Sequence, residues 1–388
     1  MGFTLKPVIK ENFINREDLL NEMVTTLKDE RLDMGFALIG PRRVGKTSIL
    51  LEVSNRLRDE KKIVVIYFSI WDLVENTIRE LSDQMVKTIL SAFKEQFSIK
   101  YKIKKFLTTP VEKIKEVLKE AKISIKILDE IEVELLQKDK LLDVNMLLER
   151  IFTLAEESSK EFNVRTVLMI DEFPSICDIT NGKKLGEGVI KKIRTIHERL
   201  EKTILCISGS IRKTMEMVVL SSSSAFYRQF IVKAISPFDK ITTGELLSRN
   251  LRQKITPQAV EVAHSLTNGI PFYLQLLGRQ LQRRPTDEMI DTEIVKVSFE
   301  EVLDEEGSII FEEEFYKLSD KERAVLRGMV EHQVEKLNDI SRNLGEGINV
   351  VSKYLEYLMT KGLILKQTRG IYKIADPVFE KWLIKRFR

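Results

Sequence analysis

The sequence predicts an α/β fold in which a parallel sheet carries helices on both faces, followed by a helical run and a C-terminal winged helix-turn-helix. Three observations predict it. Short apolar runs alternate with amphipathic helical stretches as far as residue 236, the pattern turns wholly helical beyond Pro237, and the last seventy or so residues read as three helices and a hairpin.

Asn15 is placed to cap a helix whose Leu19, Leu20, Met23, Val24 and Leu27 share one face. Met34 to Ile39 reads as a buried strand, Thr47 to Arg58 as a helix and Lys62 to Ile70 as a second strand. Residues from about 95 to 145 exceed what a strand–helix–strand unit requires and read as an insertion. Within it Thr109-Pro110 opens a helix to Ala121, and the alternation from Ile123 to Leu135 suggests a hairpin turning at Asp129-Glu130. Its lysines between Lys100 and Lys105 read as a solvated face rather than a nucleic-acid site. Val164 to Ile170, Thr203 to Ser208 and Phe230 to Ile235 supply three further strands, with Gly188 to Lys202 helical. The expected division is a core over 1–236, a helical unit over 237–316 and a winged helix over 317–388.

Composition bounds the function. With 388 residues, 43% of them hydrophobic and no low-complexity tract, the chain has room for two or three packed domains. A net charge of +4 is too slight to imply nucleic acid by itself. Cys177 and Cys206 form no CxxC pair, and His197, His264 and His332 do not cluster, so neither a disulfide framework nor a histidine metal site is expected. A reducing cytoplasm fits that cysteine usage. Charges at Lys6, Lys10 and Glu11 argue against a signal peptide, and no apolar run approaches the ~20 residues of a membrane span. The abundance of Lys, Glu and Ile points to a thermophilic source.

The chemistry concentrates at Gly40-Pro41-Arg42-Arg43-Val44-Gly45-Lys46-Thr47. Glycines at this spacing let backbone N–H groups curl around phosphate oxygens, and the loop opens a helix whose N-terminus favours anions. Lys46 is the candidate for the β- and γ-phosphates and Thr47 for Mg²⁺, with Gly40 through Ser48 as the cradle. The ligand implied is a nucleoside triphosphate, ATP with Mg²⁺. About 120 residues on, Val167-Leu168-Met169-Ile170 deliver Asp171 and Glu172 to a strand's end. Asp171 is expected to hold the Mg²⁺ and Glu172 to polarise the attacking water. Ser208 and Ser210 end the next strand, where a γ-phosphate sensor and ordinary turn chemistry are both open readings.

These residues resemble the archaeal ATPase family, among the STAND-type signalling NTPases of the AAA+-like additional-strand class. The resemblance is carried by Phe13-Ile14-Asn15-Arg16-Glu17, the phosphate loop, Ile170-Asp171-Glu172-Phe173, Ser208-Gly209-Ser210, Asn268-Gly269-Ile270-Pro271 and Asp376-Pro377-Val378-Phe379 with Trp382. It covers nearly the whole chain outside the insertion. It implies a P-loop NTPase core of five strands ordered 5-1-4-3-2, a helical lid and a C-terminal winged helix. It also implies that Asn15, Arg16 and the stretch Gly269 to Pro271 lie near the adenine or ribose. One departure stands out: where the family commonly has Tyr-Gly-Arg before the fifth strand, this chain has Tyr227-Arg228-Gln229. Arg228 remains the candidate charge-stabilising arginine, and its displacement implies slow turnover without a partner.

The C-terminal unit is expected to hold helices from Leu318 to Glu331, Leu337 to Leu344 and Ile348 to Thr360, then a wing turning at Thr368-Arg369-Gly370. From Leu318 to Arg388 there are 14 Lys and Arg against 9 Asp and Glu, leaving 49 against 50 elsewhere. That surplus favours duplex DNA at residues 337–373. The third helix, however, offers only Lys353 and Glu356 as charges, which fits a protein partner equally. The readings are an ATP-operated switch, a DNA-associated ATPase, or a nucleotide-stabilised scaffold with little hydrolysis; a small-molecule kinase suits neither the acid pair nor the winged helix. Oligomeric state stays open.

Overall fold

A computed structural model describes residues 2–97, 141–210, 215, 218–219, 226, 228–285, 287 and 289–388. The helix and hairpin expected between residues 109 and 135, and Tyr227, lie outside the described residues.

Helix α1 (Glu17–Lys28) precedes strand β1 (Gly35–Gly40), helix α2 (Lys46–Leu57) and strand β2 (Ile63–Ser69). Helices α3 (Ile78–Gln96) and α4 (Val144–Glu161) then lead to strand β3 (Arg165–Asp171), helix α5 (Gly188–His197), strand β4 (Thr203–Ser210) and strand β5 (Phe230–Ala234). The five strands form one sheet ordered β2-β3-β4-β1-β5, all neighbours parallel. This is the order the family resemblance implies.

Because successive strand residues face opposite sides, each strand feeds two cores. Ala37, Ile39, Leu168, Ile170, Leu205 and Ile207 pack with α3, α4 and α5. Phe36, Leu38, Val167, Met169, Ile204 and Cys206 pack with α1 and α2. Burial pushes the Cys206 and Cys177 thiols up to about 12.

The lid comprises α6 (Lys240–Asn250), α7 (Pro257–Thr267), α8 (Pro271–Leu281), α9 (Thr292–Val302) and α10 (Ser308–Tyr316), the last two joined through a π-helical turn at Leu303–Gly307. Helices α11 (Asp320–His332), α12 (Leu337–Leu344) and α13 (Ile348–Thr360) follow, then the antiparallel wing β6 (Ile364–Thr368) and β7 (Ile371–Ile374), and α14 (Pro377–Phe387). Ser319 and Glu322 form a reciprocal capping box at the start of α11. Apolar side chains from Leu247 to Leu383 form one cluster, so the lid and the C-terminal helices share a core. Among the described residues no helix is long and apolar enough to cross a membrane.

Two local expectations are corrected. Arg16, not Asn15, occupies the cap of α1, because both residues adopt left-handed backbone (φ 70° and 66°) and the helix starts one residue later. Helix α5 stops at His197 rather than Lys202. Past that point the backbone N–H groups of Glu201, Lys202 and Thr203 donate to the buried Glu156 carboxylate of α4 at 3.0 to 3.1 Å. Glu156 thereby sets the start of β4. Replacing it with alanine strands three donors, and we expect Glu156→Ala to lose about 3 kcal/mol of unfolding free energy in urea titration. A loss below about 1 kcal/mol would show that water replaces the carboxylate there.

Candidate functional site

The parallel arrangement brings the C-terminal ends of β1, β3 and β4 to one edge of the sheet. Between β1 and α2 the chain turns through left-handed residues at Arg43 (φ 66°) and Gly45 (φ 94°). Gly45 is suited to that conformation, and an added Cβ would also lie 3.2 Å from the Arg16 guanidinium. The 12-residue α2 therefore begins at Lys46 with its first-turn N–H groups at the loop. The buried Lys46 ammonium donates to the carbonyl oxygens of Gly40 (3.1 Å) and Pro41 (2.9 Å).

Asp171 is the meeting point. Its Oδ2 accepts from the Thr47 hydroxyl at 2.6 Å and from the Tyr67 hydroxyl at 3.0 Å. Its Oδ1 accepts from the Ser208 hydroxyl and from the Glu172 N–H, the latter at 3.1 Å. Burial, and then the Asp171 charge, push the Tyr67 phenol well above its ordinary value, so it stays a donor. Glu172 has left-handed backbone (φ 51°), a conformation that costs a glutamate of order 1 kcal/mol and recurs at functional sites. Ser210 is buried with no hydrogen-bond partner for its hydroxyl among the described residues.

Lys46, Thr47, Ser48 and Glu172 open onto a cavity of about 610 Å³, within the usual range for small-molecule sites. Arg42, Arg43, Gly45 and Pro271 also line it. Pro41 and Ser210 line a separate space of about 60 Å³ beside Asp376. Gly40 and Val44 do not line the cavity. Asn15 and Arg16 do not line it either. Asn15 donates to Thr242 at 2.5 Å, while Arg16 donates to the carbonyls of Val44 and Ser236, both at 2.9 Å, with its guanidinium 5.2 Å from the Phe238 ring centre. Burial lowers Arg16 to about 10. These two residues brace the loop against the lid.

Sequence reasoning missed part of the cavity. Thr4 to Val8 form one wall, held where the Thr4 N–H donates to Gln275 at 2.9 Å and the Val8 N–H to Ser48 at 3.1 Å. Trp71, Phe272, Ile310 and Glu314 also line it. Leu5, Pro7 and Val8 are apolar in sequence, but nothing local says what they cover. The described residues hold no group of three or more His, Cys, Asp or Glu that could form a metal cage.

Arg228 sits elsewhere. It is exposed, with left-handed backbone, two residues before Phe230, which pairs with Gly35 at the opposite end of β1 from the loop. The strand between spans about 17 Å. We therefore expect Arg228→Ala to leave turnover of the dilute chain within about twofold of wild type. A drop approaching the ~10³ that such an arginine can supply would place it in the mechanism after all.

Comparison with known proteins gives the family and the fold. An uncharacterized ATP-binding protein of Methanocaldococcus jannaschii is 26% identical over 266 residues, covering 67% of this chain and 69% of that protein. A Walker-type ATPase of Pyrococcus abyssi superposes with a TM-score of 0.68 at 22% identity, covering 99% of both chains. The Aeropyrum pernix ORC1 protein, solved in complex with DNA, gives 0.51 at 14% identity, covering 99% of this chain and 94% of that one. Residues 308–383 match a domain of unknown function. Residues 13–277 match the family described as an ATPase domain predominantly from Archaea, and the chain belongs to that family.

Proposed function

We propose that the chain binds ATP with Mg²⁺ in the 610 Å³ cavity and hydrolyses it, using the phosphate to set the lid and C-terminal unit. The observation that carries this reading is the convergence of Thr47, Ser208 and Glu172 on the buried Asp171, with Thr47 and Glu172 themselves lining the cavity. The oxygen donors of Thr47 and Asp171 fit a hard cation that one or two protein groups share with phosphates. Thr47 and Asp171 would hold the Mg²⁺, which neutralises charge across the β- and γ-phosphates when bound.

The remaining steps fall to the chain's own groups. Lys46 exchanges the two loop carbonyls for phosphate oxygens, and the N-terminus of α2 adds its N–H groups. Glu172 accepts the proton of a water whose oxygen bonds to the γ-phosphorus as the bridging oxygen leaves with ADP. Tyr67 keeps the Asp171 carboxylate in place. In this reading residues 1–236 are the catalytic core, 237–316 a lid and 317–388 the output unit.

A DNA-associated ATPase is the second reading, favoured by the C-terminal charge surplus and by the fold shared with a protein solved on DNA. Two observations weigh against it. Part of the surplus is internal: Lys385 pairs with Glu300 and Asp304, each at 2.7 Å, and Arg386 with Glu312 at 2.5 Å. Helix α13 exposes Ile348, Val350 and Tyr357, which suits a protein surface better than phosphates. Turnover of wild type and Glu172→Gln, with and without duplex DNA at two salt concentrations, separates the readings. We expect Glu172→Gln to keep nucleotide affinity and lose about 100-fold or more in kcat, with no effect of DNA. Equal rates in the two proteins would remove Glu172 from catalysis, and stimulation that fades with salt would favour the DNA reading.

A further inference from the structure

Arg43 belongs to the phosphate loop, yet its guanidinium is bound by the other half of the chain. It donates to the Tyr273 hydroxyl at 2.8 Å and to Asp376 Oδ2 at 2.9 Å, and the Tyr273 hydroxyl donates onward to the same carboxylate oxygen. The rings of Phe272, Tyr273 and Phe311 lie 5.4 to 5.5 Å from the guanidinium carbon. The Arg43 carbonyl is held as well, accepting the Phe272 N–H at 3.4 Å. Asp376 is bifunctional: its Oδ1 caps α14 through the N–H groups of Val378 (2.9 Å) and Phe379 (3.2 Å). One carboxylate therefore joins the phosphate loop to the first turn of the last helix.

The surroundings make this a stiff connection. Burial opposes charge on Arg43, but Tyr273, Asp376 and Glu314 raise it above its ordinary value. Burial pushes Tyr273 well above its own, so it remains a hydroxyl. A second tie runs in parallel, from Arg42 to Glu314 of α10 at 2.5 Å. Helix α14 is in turn seated on the π-helical turn before α10, where a Cβ on Gly307 would come within 2.9 Å of Trp382.

We propose that Asp376 and Tyr273 are positioning residues for the phosphate loop, coupling nucleotide at Gly40–Thr47 to the setting of the last helix through Arg43. The proposal rests on the ATP-binding reading above and names its path. Breaking one partner of a part-buried, hydrogen-bonded charge pair leaves the other uncompensated, so the loop and α14 cannot change independently. Coupling of this kind is reciprocal: whatever occupancy does to the helix, fixing the helix does to affinity.

Asp376→Asn is the discriminating variant, because asparagine caps a helix as well as aspartate does while removing the charge facing Arg43. Tyr273→Phe, which removes only a hydroxyl, serves as the second variant. Glu300→Gln, which loses an ion pair to α14 remote from the loop, is the control. Each protein is titrated with MgADP and MgATP by calorimetry, and hydrogen exchange is followed over residues 371–383 with and without saturating MgADP. We expect a nucleotide-dependent change there in wild type and Glu300→Gln. In Asp376→Asn and Tyr273→Phe that change is lost, while nucleotide still binds with Kd altered about fivefold or more. The proposal is overturned if both variants keep the response with Kd within about twofold of wild type, or if wild type binds nucleotide with no change over 371–383. Absence of any MgADP or MgATP binding by wild type would overturn the ATP-binding reading first, and this inference with it.

Discussion

The Asp171 carboxylate is the constraint on which the rest of the site depends. It receives donors from four places: Thr47 at the start of α2, Tyr67 near the end of β2, Ser208 on β4 and the backbone of Glu172. A buried carboxylate is costly unless its lone pairs are satisfied, so these segments have to arrive together. The strand order makes that possible, since β4 lies between β1 and β3 and all the strands run the same way. Shifting one strand by a single residue would turn its side chains to the other face and break the cluster.

A second constraint works at the other end of the molecule. Lid and C-terminal helices are not two bodies joined by a linker; they share one apolar cluster, with Phe311, Phe379 and Trp382 packed ring against ring. Movement at α14 is therefore movement of a packed unit, which interior packing allows only between discrete arrangements. The arginines of the phosphate loop reach into that unit through Glu314 and Asp376.

Features with a short-range cause were legible in the sequence. The buried strands announced themselves as short apolar runs, and helices over Leu337–Leu344 and Ile348–Thr360 fall where the sequence put them. The phosphate loop's place between β1 and α2 was legible because its glycine spacing has few other uses. What escaped depends on distant partners. Tyr67 reads locally as an ordinary strand residue, and only the pairing of β2 with β3 sets it beside Asp171. Asn15 has the chemistry of a helix cap, but the left-handed backbone at both Asn15 and Arg16 moves the cap and turns them toward the lid and the loop. The C-terminal charge surplus favoured duplex DNA in the sequence, and only the fold brings Glu300, Asp304 and Glu312 of other helices against part of it.

The sheet order also governs how the chain emerges from the ribosome. Among the described residues strand β1 pairs with β4 and β5, whose first residues are Thr203 and Phe230, so the nascent strand stays unpaired while the chain from residue 41 to residue 202 is synthesised. At ordinary elongation rates that wait is on the order of ten seconds. Throughout it an apolar strand with open edges is exposed, a form prone to mispairing and attractive to chaperones. The sheet cannot close on β1, nor Ser208 reach Asp171 beside the phosphate loop, before the strand carrying Ser208 has left the tunnel.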